Sequence, residues 1–264
     1  PAADLDQALV QLEEQVPILL ADRRLSHGTV HIFGTPRRLS VLVEDLPTRQ
    51  LASETMIRGP ATRLAYDADG NPTKAAHGFA RGKDITVEEL ERRHMEGGEY
   101  VVAVVREAGR PLPEVLAEIG PAIVSGLRFK KTMRWRPGSD SVTFSRPIRW
   151  LVSLLGSDVL PFAYAGVNAG RESRALRPYG RHLLPIPRAT DYPELMAEHQ
   201  IMICPVERRE FIAMEAQRLA AEVGGTIPED LALLYEVANL VENPTVFRGR
   251  FDPEYLKLPH EVLV

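Results

Sequence analysis

Arg128, Lys130, Lys131, Arg134, Arg136, Arg146 and Arg149 crowd into the stretch RFKKTMRWRPGSDSVTFSRPIRW, residues 128–150, against a single acid, Asp140. Arginine stays protonated at ordinary pH and lysine nearly so, so these side chains hold anions rather than shuttle protons. Their aliphatic stems pack along apolar surface while the charged heads reach solvent or an anion. Trp135 and Trp150, the chain's two tryptophans, lie in the same stretch. Arg and Lys contacts to phosphate give affinity and position, and an aromatic ring beside them stacks a base. Core packing is the competing role for both rings, above all for Trp150 in its apolar run.

The charge of the whole chain hides this concentration. Formal net charge is −4, from 32 Lys and Arg against 36 Asp and Glu. Residues 128–188 hold twelve Lys and Arg against the three acids Asp140, Asp158 and Glu172, whereas the remainder is strongly acidic. A polyanion-facing surface on an acidic body has this asymmetry, and solvated faces with internal ion pairs are its alternative use.

Other chemistries find little support in the residues. No glycine-rich nucleotide fingerprint, P-loop or His-Glu-x-x-His run is present. His27 and His31 have tight spacing on a strand entry, but no third ligand accompanies them, so no metal site is expected. Cys204 is the single cysteine, which excludes an internal disulfide, fits a reducing cytoplasm and reads as a buried apolar residue. No run of about 18 apolar residues occurs, so no membrane span is expected. No pair of carboxylates stands out as an acid/base couple, and no catalytic residue is assigned.

The elements that position the cations follow from periodicity and turn residues. Asp4 to Arg24 reads as a helix with Leu5, Leu9, Leu12, Val16, Leu19 and Leu20 at helical spacing, kinked or divided at Pro17 and stopped by Gly28. Thr29 to Phe33 and Arg38 to Val43 form a hairpin around Gly34-Thr35-Pro36, with Arg37 and Arg38 in an exposed turn. Residues 44–73 are polar and broken by Pro47, Gly59-Pro60 and Asp69-Gly70-Asn71-Pro72. Lys74 to Ala80 and Thr86 to His94 read as two short helices, the second opened by a Thr86/Glu89 capping box. Tyr100 to Val105 is a strand, and Glu114 to Leu127 is a helix interrupted by Pro121.

Past the basic stretch, Arg136 to Asp140 has turn chemistry, Ser141 to Phe144 is β-prone, and Ile148 to Leu155 suits a strand buried on both faces. Val159 to Tyr164 is a further strand. Gly166 to Pro187, rich in Gly and Pro and carrying Arg171, Arg174, Arg177, Arg181 and His182, reads as a long ordered loop or short strands. Val206 to Val223 is a helix, and Pro228 opens another whose Leu231, Leu234, Tyr235, Ala238 and Val241 face inward. The chain ends at Val264 in mid-pattern, which reads as a piece of a longer protein.

Longer stretches carry a resemblance. KKTMRW, FSRPIRWLVSLLG, VLPFAYAGVNAGRESRALR, HGTVHIFGTPRRLSVLV, IRGPATRLAYDADGNPTKAAHGFARG and VENPTVF with FDPEYLKLPHEVLV resemble the β subunit of the bacterial heterotetrameric glycyl-tRNA synthetases. The likeness runs from about His27 to the last residue, in the family's order, and corresponds to the N-terminal portion of the longer subunit. It implies an (αβ)2 ligase that joins glycine to tRNA(Gly), with ATP and Mg used through the α subunit and no cofactor held here. It also implies a β subunit that binds tRNA and completes the holoenzyme, and a mid-region similar to the B3/B4 module of the phenylalanyl-tRNA synthetase β subunit.

The expected fold is α+β, a mixed β-sheet core flanked by helices, with an N-terminal region 1–127 and a basic sheet region with two helices, 128–264. The expected role is tRNA binding and assembly in a cytoplasmic aminoacyl-tRNA synthetase, with Lys130, Lys131, Arg134, Arg136, Arg146 and Arg149 as phosphate contacts. A subunit-interface module without RNA contact, and an editing hydrolase acting on aminoacyl-tRNA, remain the alternatives.

Overall fold

The amphipathic pattern at the start of the chain becomes one uninterrupted helix, α1 (Ala2–Asp22), with Pro17 inside it. Leu5, Leu9, Leu12, Val16 and Leu20 are its buried stripe. The stop comes earlier than Gly28, at Arg24, whose φ of 52° takes the backbone out of the right-handed region. The computed structural model describes residues 2–135, 142–177, 182–259 and 262. Within them lie seven α-helices and several small sheets, an α/β mixture in which no single sheet forms the core. Contacts divide the chain into two compact units, one of residues 1–20, 27–45 and 116–264, the other of residues 21–26 and 46–115.

The first unit begins with a hairpin, β1 (Val30–Thr35) and β2 (Arg38–Val43), paired from Val30↔Val43 to Thr35↔Arg38. A β-carbon on Gly34 would stand 2.6 Å from a Leu9 methyl, so only glycine lets the hairpin lie this close to α1.

The second unit is built on a three-stranded antiparallel sheet. Its order is β3 (Ser53–Ala61), β5 (Gly98–Glu107), β4 (Leu90–Met95). β3 falls in the stretch whose polarity hid a strand. It is an edge strand with a largely exposed run and a register shift between Arg58 and Ala61, where Gly59-Pro60 is accommodated. Two short helices, α2 (Thr62–Ala65) and α3 (Lys74–Arg81), cover one face. Ala65, Ala76, Ala80, Leu90, Val101 and Ala103 form the core there, with Tyr66 and Phe79 packed against it. The Thr86/Glu89 cap is present, with the Thr86 amide donating to Glu89 at 2.7 Å. It opens only a 3-10 turn, Val87–Glu89, and residues 90–95 are strand β4 where a helix was expected. Pairing of Leu90 with Ala103 and burial of Leu90 outweigh the helix propensity of Glu-Leu-Glu-Arg-Arg.

Helix α4 (Leu112–Gly126) runs through Pro121 without a break. Within the first unit, Gln15 of α1 donates to the Ile123 carbonyl at 3.0 Å, and Gln11 exchanges two hydrogen bonds with the Arg128 backbone, at 2.9 and 2.7 Å. The basic stretch then forms a hairpin of β6 (Met133–Arg134) with β7 (Thr143–Phe144). Phe129 meets Phe144 edge-on, with centroids 4.7 Å apart. Residues 148–155 are not one buried strand. They yield β8 (Leu151–Val152) and β9 (Leu154–Leu155), which belong to different sheets and are only half-buried.

β10 (Asp158–Val159) closes on β9, and β11 (Ala163–Tyr164) turns through Ala165 and Gly166, both at positive φ, into β12 (Val167–Gly170). β12 runs parallel to β8, so the sheet β11-β12-β8 is mixed. The described part of the Gly-rich stretch forms short strands, β12 with β13 (Glu172–Arg174) and β14 (Leu183–Pro185).

Three helices complete this unit: α5 (Tyr192–Glu198), α6 (Pro205–Ala221) and α7 (Leu231–Ala238). Leu176, Leu184, Met196, Ile201 and Ile203 cluster with Phe33 and Tyr192. Cys204 caps α6 and is half-buried rather than buried. In α7 the inward face is not the expected one: Ala238 is buried, but Leu231 is 57% and Tyr235 44% exposed. No helix among the described residues is long and apolar enough to cross a membrane.

Candidate nucleic-acid interface

Five of the six expected phosphate contacts lie in described residues, and all five side chains are exposed. Lys130 and Lys131 occupy the link between α4 and β6. Arg134 is on β6, opposite Thr143. Arg146 lies in the turn after β7, and Arg149 stands two residues before β8. Arg136 lies outside the described residues, as do Asp140 and Arg181. Among the described residues no carboxylate pairs with Lys130, Lys131, Arg134, Arg146 or Arg149. A cation without a protein partner on open surface keeps its charge available to an external anion.

A second group of arginines, outside the expected six, surrounds Trp150. The guanidinium carbons of Arg174, Arg37 and Arg38 stand 5.4, 5.8 and 5.8 Å from the centre of its ring. These distances are at the outer reach of cation–π attraction. Arg37 and Arg38 are not an exposed turn. The Arg38 side chain is only 3% exposed and bonds to the Glu242 carboxylate and to the Arg174 carbonyl. Arg37 reaches the other Glu242 oxygen at 3.0 Å and the Ala175 carbonyl at 3.2 Å. Thr35 donates its hydroxyl to Glu242 at 2.6 Å.

Burial pushes the Arg38 guanidinium down to about 10, so it remains charged at neutral pH and needs its carboxylate partner. The Tyr192 phenol, bonded to Ser40 at 2.7 Å, is raised by burial. A turn facing solvent is the ordinary fate of Pro-Arg-Arg. Here an acid more than 200 residues along the chain overrides it.

The sequence placed Arg171 and Arg174 in an arginine-rich stretch without assigning them a role. Arg171 bonds the carbonyls of Ser157 at 2.9 Å and Pro187 at 3.3 Å, bracing β13 against its neighbours. Arg174 donates weakly to the Arg149 carbonyl at 3.4 Å. Arg149, Trp150, Arg171 and Arg174 line one open cleft, and Arg149 alone of the described expected contacts belongs to it. Density of arginine between Gly166 and Pro187 was the one signal that could have promoted Arg171 and Arg174.

Elsewhere, His31 pairs with Glu44 at 3.2 Å and His27 with its neighbour's carbonyl, and no metal-holding group of His, Cys, Asp or Glu occurs among the described residues. What the arrangement offers is a set of fixed positive charges beside an indole, with no nucleophile–base pair among the described residues around it.

Residues 1–264 match the family described as glycyl-tRNA synthetase beta subunit. The chain is 43% identical over 264 residues to the glycine–tRNA ligase beta subunit of Geobacter sulfurreducens, and 43% over 267 residues to that of Moorella thermoacetica. Each alignment covers all of this chain and 38% of the relative. It is also 43% identical over 263 residues to the chloroplastic/mitochondrial glycine–tRNA ligase 2 of Arabidopsis thaliana, covering 24% of that protein. The chain thus spans well under half the length of these relatives. It belongs to the glycyl-tRNA synthetase beta subunit family.

Proposed function

We propose that this chain is a tRNA-binding part of a glycine–tRNA ligase, working beside an α subunit that carries out the ATP- and Mg-dependent glycylation of tRNA(Gly). The observation that carries the reading is the exposure of Lys130, Lys131, Arg134, Arg146 and Arg149 without carboxylate partners in an otherwise acidic chain. The five cations displace counterions from the RNA backbone and hold it by Coulomb attraction, a sequence-independent term that sets position and affinity. Arg134, Arg146 and Arg149 add planar forks that match phosphate oxygens. Nothing in this role asks the chain to make or break a bond. Cytoplasmic location, the (αβ)2 assembly and kinship with the B3/B4-type module belong to the same proposal.

The test is glycylation by the α subunit together with the β subunit. Replacing Lys130, Lys131 and Arg134 together by Ala is expected to raise KM for tRNA about tenfold while KM for ATP and glycine stay unchanged, since lost phosphate contacts are ground-state binding. An unchanged KM for tRNA contradicts the proposal.

A further observation favours an assembly role in addition. Leu231, Leu233, Tyr235, Phe247, Phe251 and Leu256 are all exposed, Phe247 by 82%. Exposed apolar side chains of this kind are what a covering polypeptide segment would bury.

A further inference from the structure

The cleft at Trp150 has a composition that the exposed strip lacks. It has a volume of about 420 Å³ and is lined by Arg149, Trp150, Asn168, Arg171, Glu172 and Arg174, with Leu151 and Val167 among its apolar residues. Among the described residues no carboxylate pairs with its three guanidiniums. Arg171 is held by the carbonyls of Ser157 and Pro187, and Arg174 bonds weakly to the Arg149 carbonyl, contacts that leave both charges in place. Among the described residues, the Arg149 side chain makes no hydrogen bond or ion pair. The Nε of Arg174 is buried and makes no hydrogen bond. Glu172 lines the same cleft yet forms no ion pair with these arginines among the described residues.

A flat ring, an amide side chain and two or three positive forks within one cleft match a single ligand class. The ring offers a stacking face, the Asn168 amide offers one donor and one acceptor group to a base edge, and the guanidiniums take a phosphate. The volume falls at the small end of the range for small-ligand sites, of about 300–1,000 Å³, so it admits one nucleotide and no duplex.

We propose that this cleft seats one unstacked nucleotide of an RNA strand, its base against Trp150 and its phosphate on Arg149 and Arg174. The proposal rests on the RNA-binding reading above and adds to it a place where a base, rather than backbone charge alone, is held. The Arg37–Glu242–Arg38 cluster, with two guanidiniums 5.8 Å from the centre of the Trp150 ring, then helps to hold that ring in position.

Trp150 supplies its own readout. In a Trp135→Phe background it is the chain's single indole, and base stacking is expected to quench its fluorescence. A single-stranded RNA tetranucleotide and AMP should both quench. Inorganic phosphate should compete with AMP without quenching. Arg149→Ala, an exposed substitution, should raise the half-quenching concentration about tenfold, and Trp150→Leu should weaken tetranucleotide binding by a similar factor in fluorescence anisotropy.

Absence of quenching while labelled tRNA still binds overturns the cleft assignment and leaves the proposed function standing. Unchanged quenching in Arg149→Ala also overturns it. Quenching by the tetranucleotide that Arg149→Ala weakens, with tRNA left unbound, supports the cleft and removes the wider tRNA reading.

Discussion

Glu242→Ala is expected to lower the stability of the unit that contains it by about 3–5 kcal/mol, the usual cost of breaking one side of a buried ion pair. The carboxylate serves Thr35, Arg37 and Arg38 at once. Without it, the Arg38 guanidinium stays enclosed with no counter-charge, and its Nε is already without a partner. Burial pushes this cation down to about 10, the same penalty seen from the proton's side. Glu242→Gln, which keeps volume and one acceptor, should cost less.

The double variant Glu242→Leu with Arg38→Met should recover much of the loss, because removing both charges removes the need for either. Denaturant midpoints at constant m-value give these differences. If Glu242→Ala and wild type unfold at the same midpoint, the buried cluster contributes nothing and Trp150 is held by other means.

Arg208 carries the second large effect. It is fully buried, and its guanidinium donates to three carbonyls: Ala238 at 2.7 Å, Met202 at 2.5 Å and Gly34 at 3.1 Å. Ala238 is the last residue of α7, so the cation sits at the negative end of that helix dipole. One side chain thereby joins the β1–β2 hairpin, the approach to α6 and the end of α7. Arg208→Met keeps most of the volume and leaves three carbonyls unmet. At about 1 kcal/mol for each bond, and more for bonds to a charged donor, the loss is about 3–5 kcal/mol. Arg208→Lys should fall between, since an ammonium group cannot reproduce the planar fork. Thermal or denaturant unfolding of the three proteins should rank them wild type, Lys, Met; equal midpoints would show that the three bonds contribute no net stability.

Local pattern was legible wherever the structure is decided locally. The apolar spacing of α1, the hairpin at Gly34 to Arg38 and the helix of α6 follow from periodicity and turn residues alone. Where a distant partner decides, the pattern misled. Residues 90–95 have the composition of a helix and become a strand because β5 offers a ladder and a core contact. Arg37 and Arg38 have the look of an exposed turn and are drawn inward by Glu242. Pro17 and Pro121 are each accommodated inside a continuous helix. The grouping of residues 21–26 with 46–115 crosses a hairpin and is invisible to any reading that proceeds along the chain.

Of the candidate site, the exposed cations were readable because charge concentrates in one segment. The arginines framing Trp150 were not, because Arg37 and Arg38 come from one stretch and Arg174 from another far along the chain, and only the fold brings them together.

In the proposed function, positive charge at Lys130, Lys131, Arg134, Arg146 and Arg149 holds tRNA. The most direct test measures tRNA(Gly) affinity against salt concentration for the wild type and for a variant with all five replaced by Ala. A control variant loses five exposed cations elsewhere, Arg63, Lys74, Arg81, Arg93 and Arg106. At about 0.9 per phosphate contact, the slope of log affinity against log salt should fall by about 4 in the first variant and stay near wild type in the control. Equal slopes in all three proteins, or the larger loss in the control, would contradict the account.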